Sequence, residues 1–396
     1  MDKLKILIYG DYWKWKSGFA RNIKDIWTHL EEGGKNEIRQ VALDFNGYPI
    51  DEERYIYHTK TPDVKDRYAR EVLHFALDEF KPDIVLTIQD FWMLPKISFS
   101  LAHPGPWKWV HWGTLDSDPL DFYCRESLKW MHYCFFYSHH AAIEVKTVVP
   151  SVMGEVIYPS VDPKNFKELD KEKLRAEFKL SDFNVFICNA RGQQRKNVPV
   201  LLDALKQVVD QVPNTALILS SGILRTKTDV GNLDGYELDR FVEELDLTGH
   251  VMLPRSMGGG PIDDKTLNIQ YNLANVNILA SWGEGFGLPF TEAGISGVPS
   301  IGVDHSAVRE VVKNRGLLVK PRAYAYNMDG SRYHLCHPDD LKDAMLKMIN
   351  EPDLREKYGK AAQEFAKKLT PESRAKQMLK AFKKLIAEDA QPAARK

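Results

Sequence analysis

The sequence predicts an α/β protein with two parallel sheets, each covered by helices. Three observations predict it. Short apolar runs of strand character alternate with segments of helical apolar spacing over most of the 396 residues. A proline-bounded break, Ile157-Tyr-Pro-Ser-Val-Asp-Pro163, divides the alternation into two series. In the second series an apolar run at 276–280 leads straight into a glycine turn and a helix start, a junction that suits a parallel sheet.

In the first series, 4–9 reads as a strand and 20–30 as a helix, with apolar residues at Ile23, Ile26, Trp27 and Leu30. A helix is expected over 71–80 and a strand over 83–88, separated by Lys81-Pro82; 109–112 and 134–137 are further strands. Irregular aromatic sequence lies between them, with prolines at Pro104, Pro106 and Pro119. In the second series strands are expected at 185–188, 216–219, 251–253, 276–280, 300–303 and 317–319. Helices are expected at 198–209, 237–245, 267–273, from Pro289 through Ser296, and at 339–349. Pro199 and Pro289 both suit a first helical turn. The two prolines of 157–163 and the charged stretch 164–179 suit a linker and entry segment, giving domains over 1–160 and 161–370. The tail 372–387 is amphipathic, with Met378, Leu379, Phe382, Leu385 and Ile386 on one face. Thr370-Pro371 starts it as N-cap and first helical residue, and 388–396 reads as a frayed end.

Composition narrows the function classes. The chain is 43% hydrophobic and 28% charged with a net charge of −1, ordinary for a globular protein. Near-neutral charge argues against nucleic acid as a partner and requires no anionic membrane, although a peripheral membrane contact through a local basic patch stays open. No apolar run approaches the ~20 residues that span a bilayer. Residues 1–10 read as a first strand rather than a signal peptide. Cys124, Cys134, Cys188 and Cys336 lack metal-type spacing and read as buried thiols, which points to the cytoplasm.

The densest chemistry lies in Ser281-Trp-Gly-Glu-Gly-Phe-Gly-Leu-Pro-Phe-Thr-Glu292-Ala. Gly283, Gly285 and Gly287 permit a tight turn and close approach of backbone to a ligand. A strand, a glycine turn and a helix N-terminus together make an anion site, because unpaired N–H groups and the helix dipole face the turn. Glu284 and Glu292 beside an anion site require a ligand that carries hydroxyls as well as phosphate, as a nucleotide sugar does. A second loop, Asn189-Ala-Arg-Gly-Gln-Gln-Arg-Lys196-Asn, follows one strand and precedes a helix. Its Arg191 supplies a fork and its Lys196 a point charge for phosphate oxygens. Loops after parallel strands leave the carboxyl edge of the sheet, where ligands bind.

Two features of the first series also qualify. Residues 10–20 follow the first strand and carry Ser17-Gly18, where backbone can approach phosphate or acceptor. His111, in Trp109-Val-His-Trp-Gly113, sits at the end of a predicted strand. Of the nine tryptophans all but Trp282 precede residue 131. Most read as core, while Trp13, Trp15 and Trp112, in or beside loops, are candidates to line an acceptor groove together with Lys14, Lys16 and Lys108.

These motifs resemble those of retaining glycosyltransferases of the GT-B fold, most closely family 4. Glu284-Gly-Phe-Gly-Leu-Pro-Phe-Thr-Glu292-Ala matches the E-G-F-G-L-P-x-x-E-A pattern, and the Arg191/Lys196 spacing matches the family's phosphate pair. Val156-Ile-Tyr-Pro-Ser-Val-Asp-Pro-Lys-Asn-Phe166 is similar to V-I-x-N-G-V-D-x-x-x-F, with Pro159-Ser160 where Asn-Gly is usual. Val303-Asp-His-Ser-Ala-Val-Arg-Glu310 resembles the segment after the next strand. The match is dense over roughly 156–370 and thin before it.

The resemblance implies two facing Rossmann-like domains, with the last helix crossing back to the first. It implies a UDP- or GDP-sugar donor, retention of anomeric configuration and no metal or other cofactor. Glu292 would bind the ribose hydroxyls and Glu284 the sugar hydroxyls. Backbone N–H groups of Phe286, Gly287 and Leu288, next to Gly285, would hold sugar and diphosphate. Arg191 and Lys196 would neutralise the leaving diphosphate, His111 would touch the sugar near its reacting carbon, and Gly18 would let the first loop approach the phosphates. The acceptor favoured is a saccharide or lipid-linked glycan; a protein or nucleobase acceptor, or a non-catalytic nucleotide-sugar binder, are the alternatives. A nicotinamide dinucleotide site using Asp304 fails on the G-x-G-x-x-G spacing. Asp116-Ser-Asp118 imitates a D-x-D metal motif but runs into Pro119 and reads as a turn.

Overall fold

The computed structural model describes residues 3–389 except 44, 46–47, 52–53, 58–65, 67, 103–104, 221–235, 237 and 254–261. Pro104, Glu237 and the last residues of the tail therefore lie outside the described residues. The chain divides into two units. Unit 1 comprises Met1–Ser160, Asp329–Ser331 and Leu369–Lys396; unit 2 comprises Val161–Met328 and Arg332–Lys368.

Unit 1 runs β1 (Lys5–Asp11), α1 (Gly18–Glu31), β2 (Glu37–Leu43), β3 (Ile50–Asp51), β4 (Arg54–Tyr57), α2 (Arg70–Phe80), β5 (Ile84–Asp90), α3 (Leu94–Leu101), β6 (Lys108–Thr114), α4 (Phe122–Lys129), β7 (Tyr133–Phe136), α5 (His139–Val148) and β8 (Gly154–Val156). Among the described residues its sheet has the order β3-β4-β2-β1-β5-β6-β7-β8, parallel except for β3 against β4. Leu7, Tyr9 and Val85 on one face pack with Leu73, Leu77 and Phe80 of α2. Parallel strands covered on both sides need near-continuous apolar sequence, which β1 and β5 supply.

Unit 2 runs α6 (Lys171–Glu177), β9 (Asn184–Asn189), α7 (Val198–Val209), β10 (Thr215–Ser220), α8 (Leu238–Glu244), β11 (Val251–Met252), α9 (Asp264–Leu273), β12 (Val276–Leu279), α10 (Leu288–Ile295), β13 (Ser300–Val303), α11 (Ser306–Val312), β14 (Gly316–Val319), the hairpin β15 (Ala323–Tyr326) and β16 (Arg332–Leu335), α12 (Pro338–Asn350) and α13 (Pro352–Ala366). Its main sheet, in the order β11-β10-β9-β12-β13-β14, is parallel throughout among the described residues. The strand order reverses between β9 and β12. In such sheets ligands bind at the carboxyl ends of the strands flanking that reversal. The loops that leave those two strands are the basic loop 190–197 and the glycine turn 281–287.

The last helix, α14 (Pro371–Asp389), belongs to unit 1. Thr370 caps it, accepting from Ser373 N at 3.3 Å. Met378 and Phe382 are fully buried, and the Phe382 ring lies 5.9 Å from that of Phe135.

Two expectations need correction. The stretch 164–179 is the entry segment of unit 2 rather than a free linker. It holds α6, and its first part is fastened to α9: Lys167 N donates to Asn268 Oδ1 and Leu169 N to Asn272 Oδ1, both at 2.9 Å. Trp112 lines no acceptor groove. It lies within β6, is fully buried, and its indole N–H donates to the Ile157 carbonyl at 2.8 Å. The expected strand ended at Trp112, whereas β6 continues to Thr114 and keeps Trp112 inside the sheet. Trp13 is also buried, at 4% exposure, beneath the Arg54 guanidinium 3.8 Å from its ring. Trp15, Trp92 and Trp130 are the tryptophans at the surface.

Candidate functional site

The geometry at the β9/β12 reversal is built by the glycine turn. Gly287 takes φ +82°, the left-handed region, and a Cβ there would lie 2.5 Å from the Phe290 ring. Only glycine fits both constraints. The chain enters α10 directly from Gly287, with Pro289 in the first turn and no side chain capping the start. Pro289 has no N–H and Phe290 N donates to the Gly287 carbonyl at 2.9 Å, so in this turn it is the Leu288 N–H that has no partner within the helix. Behind the turn, Ser306 Oγ accepts from Glu284 N at 3.1 Å and donates to the Glu284 carbonyl at 3.0 Å, fixing the backbone at Glu284.

Glu284 is 5% exposed and heavily partnered. Lys196 Nζ donates to its Oε1, as does Ser281 Oγ at 2.6 Å, and Arg195 Nη1 stands 4.0 Å from Oε2. Burial by itself pushes the carboxyl up. The charges of Lys196 and Arg195 and the hydrogen bonds from Lys196 and Ser281 reverse that, holding its pKa below the ordinary carboxylate value. The two loops are also joined by backbone: Trp282 N donates to the Arg195 carbonyl at 2.8 Å, and Arg195 Nη1 to the Gly283 carbonyl at 3.1 Å.

Glu292 lies on α10 at 1% exposure and accepts from the Tyr271 hydroxyl at 2.7 Å. Phe286 is buried at the apex of the turn. Unit 2 thus brings together Lys196, Glu284, Gly285, Phe286, Gly287, Leu288 and Glu292. Arg191 stands in the same loop as Lys196 but is exposed, and Arg195 rather than Arg191 faces Glu284. Sequence reasoning missed Arg195, Ser281, Ser306 and Tyr271. Arg195 adjoins Lys196 in the quoted loop, and Ser306 lies inside the quoted segment 303–310; Tyr271, on another helix, carried no local signal.

His111 and Gly18 belong to unit 1. His111 is in the middle of β6 rather than at its end, and fully buried. Its Nδ1 lies 2.8 Å from Thr87 Oγ1, and its ring meets Phe91 edge-on with centroids 5.0 Å apart. Its Nε2 has no hydrogen-bond partner among the described residues. A Cβ at Gly113 would lie 2.1 Å from this Nε2, so the missing side chain makes room for the ring. Burial drives the imidazole pKa down to about 3, leaving a neutral ring. Gly18 is the first residue of α1, just after Ser17, whose Oγ accepts from Ala20 N at 3.0 Å.

Comparison with known proteins agrees with this architecture. The chain is 26% identical over 244 residues to a D-inositol 3-phosphate glycosyltransferase of Nocardioides sp., covering 59% of this chain and 49% of that protein. The chain therefore spans about half of that relative's length. Among solved structures, sucrose-phosphate synthase from Thermosynechococcus elongatus superposes with TM-score 0.77 at 19% identity, covering 98% of this chain and 100% of that one. Anabaena HepE, solved in complex with UDP-glucose, superposes with TM-score 0.70 at 15% identity, covering 96% and 100%. The fold is that of the GT-B glycosyltransferases, with two Rossmann-like units. Residues 170–365, which hold the basic loop, the glycine turn and both glutamates, match the family described as glycosyl transferases group 1. It is over these residues that the chain is similar to the glycosyl transferases group 1 family.

Proposed function

We propose that the protein is a retaining glycosyltransferase that moves a sugar from a nucleoside-diphosphate sugar to an acceptor hydroxyl, without a metal. The observation that carries the proposal is the cluster in unit 2: a buried Glu284 kept ionised by Lys196 and Arg195, beside the uncapped start of α10. Breaking a glycosyl–phosphate bond builds positive charge on the sugar and negative charge on the departing diphosphate. Lys196, the neighbouring arginines and the Leu288 N–H at the start of α10 stabilise that negative charge more in the transition state than in the ground state, which is what accelerates the step. The same cations take the part a metal plays in other transferases.

In this reading neither glutamate is acid, base or nucleophile. Glu284 accepts from sugar hydroxyls and Glu292 from ribose hydroxyls; Arg191, exposed at the mouth of the loop, joins Lys196 on the diphosphate. Retention follows from attack on the face the diphosphate leaves. The donor is a UDP- or GDP-sugar, and a fold neighbour solved with UDP-glucose supports the uridine choice. The acceptor is a saccharide or lipid-linked glycan. Among the described residues no helix is long and apolar enough to cross a membrane, and the four cysteines are buried thiols, in keeping with reaction in a reducing compartment.

The test is incubation with a panel of UDP- and GDP-sugars, measuring release of nucleoside diphosphate with and without EDTA. Release from at least one donor, undiminished by EDTA, is expected. Absence of both binding and release across the panel would sink the proposal, and loss of release in EDTA would remove its metal-free part.

A further inference from the structure

We infer that Tyr271 is a positioning residue that aims the Glu292 carboxylate and so sets the preference for a ribose over a deoxyribose nucleotide. The inference rests on the reading of Glu292 as the ribose-binding carboxylate. Tyr271 is fully buried on α9, and its hydroxyl donates to Glu292 Oε2 at 2.7 Å. The Tyr271 hydroxyl oxygen in turn accepts from Asn189 Nδ2 at 3.0 Å. Asn189 is the last residue of β9, immediately before the loop that carries Arg191 and Lys196. One phenol therefore ties the root of the phosphate loop to the carboxylate on α10.

The phenol is held firmly. Its ring meets Phe166 edge-on, with centroids 6.1 Å apart. Flanking residues of the same helix grip the chain entering unit 2: Asn268 and Asn272 accept from Lys167 N and Leu169 N, and Asn272 Nδ2 donates to the Lys167 carbonyl at 2.9 Å. A carboxylate that accepts a hydrogen bond from a fixed donor loses rotational freedom before any ligand arrives, and preorganisation of this kind strengthens recognition of the hydroxyls it meets. The amide of Asn189 polarises the phenol's O–H toward Glu292, as linked hydrogen bonds do. Removing the hydroxyl leaves the ring's volume in place, so the effect falls on the carboxylate's aim rather than on packing.

Calorimetry of the full chain, its Tyr271→Phe and its Glu292→Ala variants tests this, using UDP, 2′-deoxy-UDP and 3′-deoxy-UDP and the matching guanosine set. The wild type is expected to favour a ribonucleotide over its deoxy analogues by about 10-fold or more, the weight of one hydrogen bond to a charged group. Glu292→Ala abolishes the preference. Tyr271→Phe cuts it to about 3-fold or less while weakening the deoxy analogues far less than the ribonucleotide. With a donor that turns over, Tyr271→Phe raises donor KM more than it lowers kcat.

A wild-type preference retained in Tyr271→Phe but lost in Glu292→Ala overturns the role of Tyr271 alone. A preference retained in both variants overturns the ribose reading of Glu292. If the wild type binds none of the six nucleotides, the donor-site reading falls and takes the role of Tyr271 with it. A merely structural loss would weaken ribo and deoxy nucleotides equally, which also overturns the inference.

Discussion

The helices that follow β1 and β7 in unit 1 start differently from those that follow β9 and β12 in unit 2. In unit 1, Ser17 caps α1 by accepting from Ala20 N, and Ser138 caps α5 by accepting from Ala141 N at 3.1 Å. In unit 2, α7 follows Asn197 and α10 follows Gly287, and no side chain caps either start. A capped start has spent one of its exposed donors on its own chain; an uncapped one keeps its donors for a ligand. The difference favours the starts of α7 and α10 over those of α1 and α5 as places to meet an anion.

Buried polar groups divide in the same way. Unit 2 keeps Glu284 charged by surrounding it with cations, whereas unit 1 keeps His111 neutral by burial. Burial opposes charge in both. A partner decides whether it prevails.

The sharpest way to break this comparison is to remove the partner. Lys196→Ala should lower turnover about 10²- to 10³-fold, as loss of one oxyanion donor does. It should also cost about 3 kcal/mol of stability in denaturant titration, because it strips a buried carboxylate of its main counter-charge. A Lys196→Met/Glu284→Gln double variant should recover most of the stability and none of the turnover. If Lys196→Ala leaves both unchanged, the pair is not what keeps Glu284 charged. Gly287→Ala comes next. The residue must hold φ +82° against the Phe290 ring, so about 2 kcal/mol of stability and much of the donor affinity should go together in urea melts and calorimetry.

Stability against pH separates the two buried groups. The folded His111 pKa of about 3 lies below the unfolded value near 6.5, so the unfolded chain binds the extra proton first. Stability should therefore fall as pH drops from about 6.5, with a slope of up to about 1.4 kcal/mol per pH unit. His111→Gln should flatten that window. Glu284 also has a depressed folded pKa, but its contribution is complete above the unfolded carboxylate value of about 4.3 and is lost only below it. Its neutralised double variant should flatten only that lower window. A His111→Gln variant with an unchanged slope above pH 5 would show that another group governs it. The smallest effect belongs to the capped start: Ser17→Ala should cost about 1 kcal/mol in thermal unfolding and leave nucleotide affinity as it was.

Much of the fold could be read in the chain. Helix 198–209 and strand 300–303 have the expected bounds, because each shows an uninterrupted period with a clear start. Other elements left little trace. β2 contains a fully buried Gln40, whose Nε2 donates to the Asp11 carbonyl at 2.7 Å, and this polar residue hides a parallel strand. The helix α13 buries Gly359, Ala362 and Ala366, small residues that let another helix approach closely but carry almost no hydrophobic signal. In the candidate site the glycine turn and both glutamates were legible because they are local in sequence. The hold of Tyr271 on Glu292 was not, since it depends on how α9 and α10 pack.

The return of α14 to unit 1 bears on the order of synthesis. Unit 2 is, in chain order, almost wholly an insertion within unit 1. A ribosome completes residues 161–368 before it makes Met378 and Phe382, which are fully buried in the unit begun first. The unit that starts first is thus finished last. Until then the surface around Phe135 that Phe382 covers has no helix over it, and a chain cut short near residue 370 would leave unit 1 incomplete while its family domain was already whole.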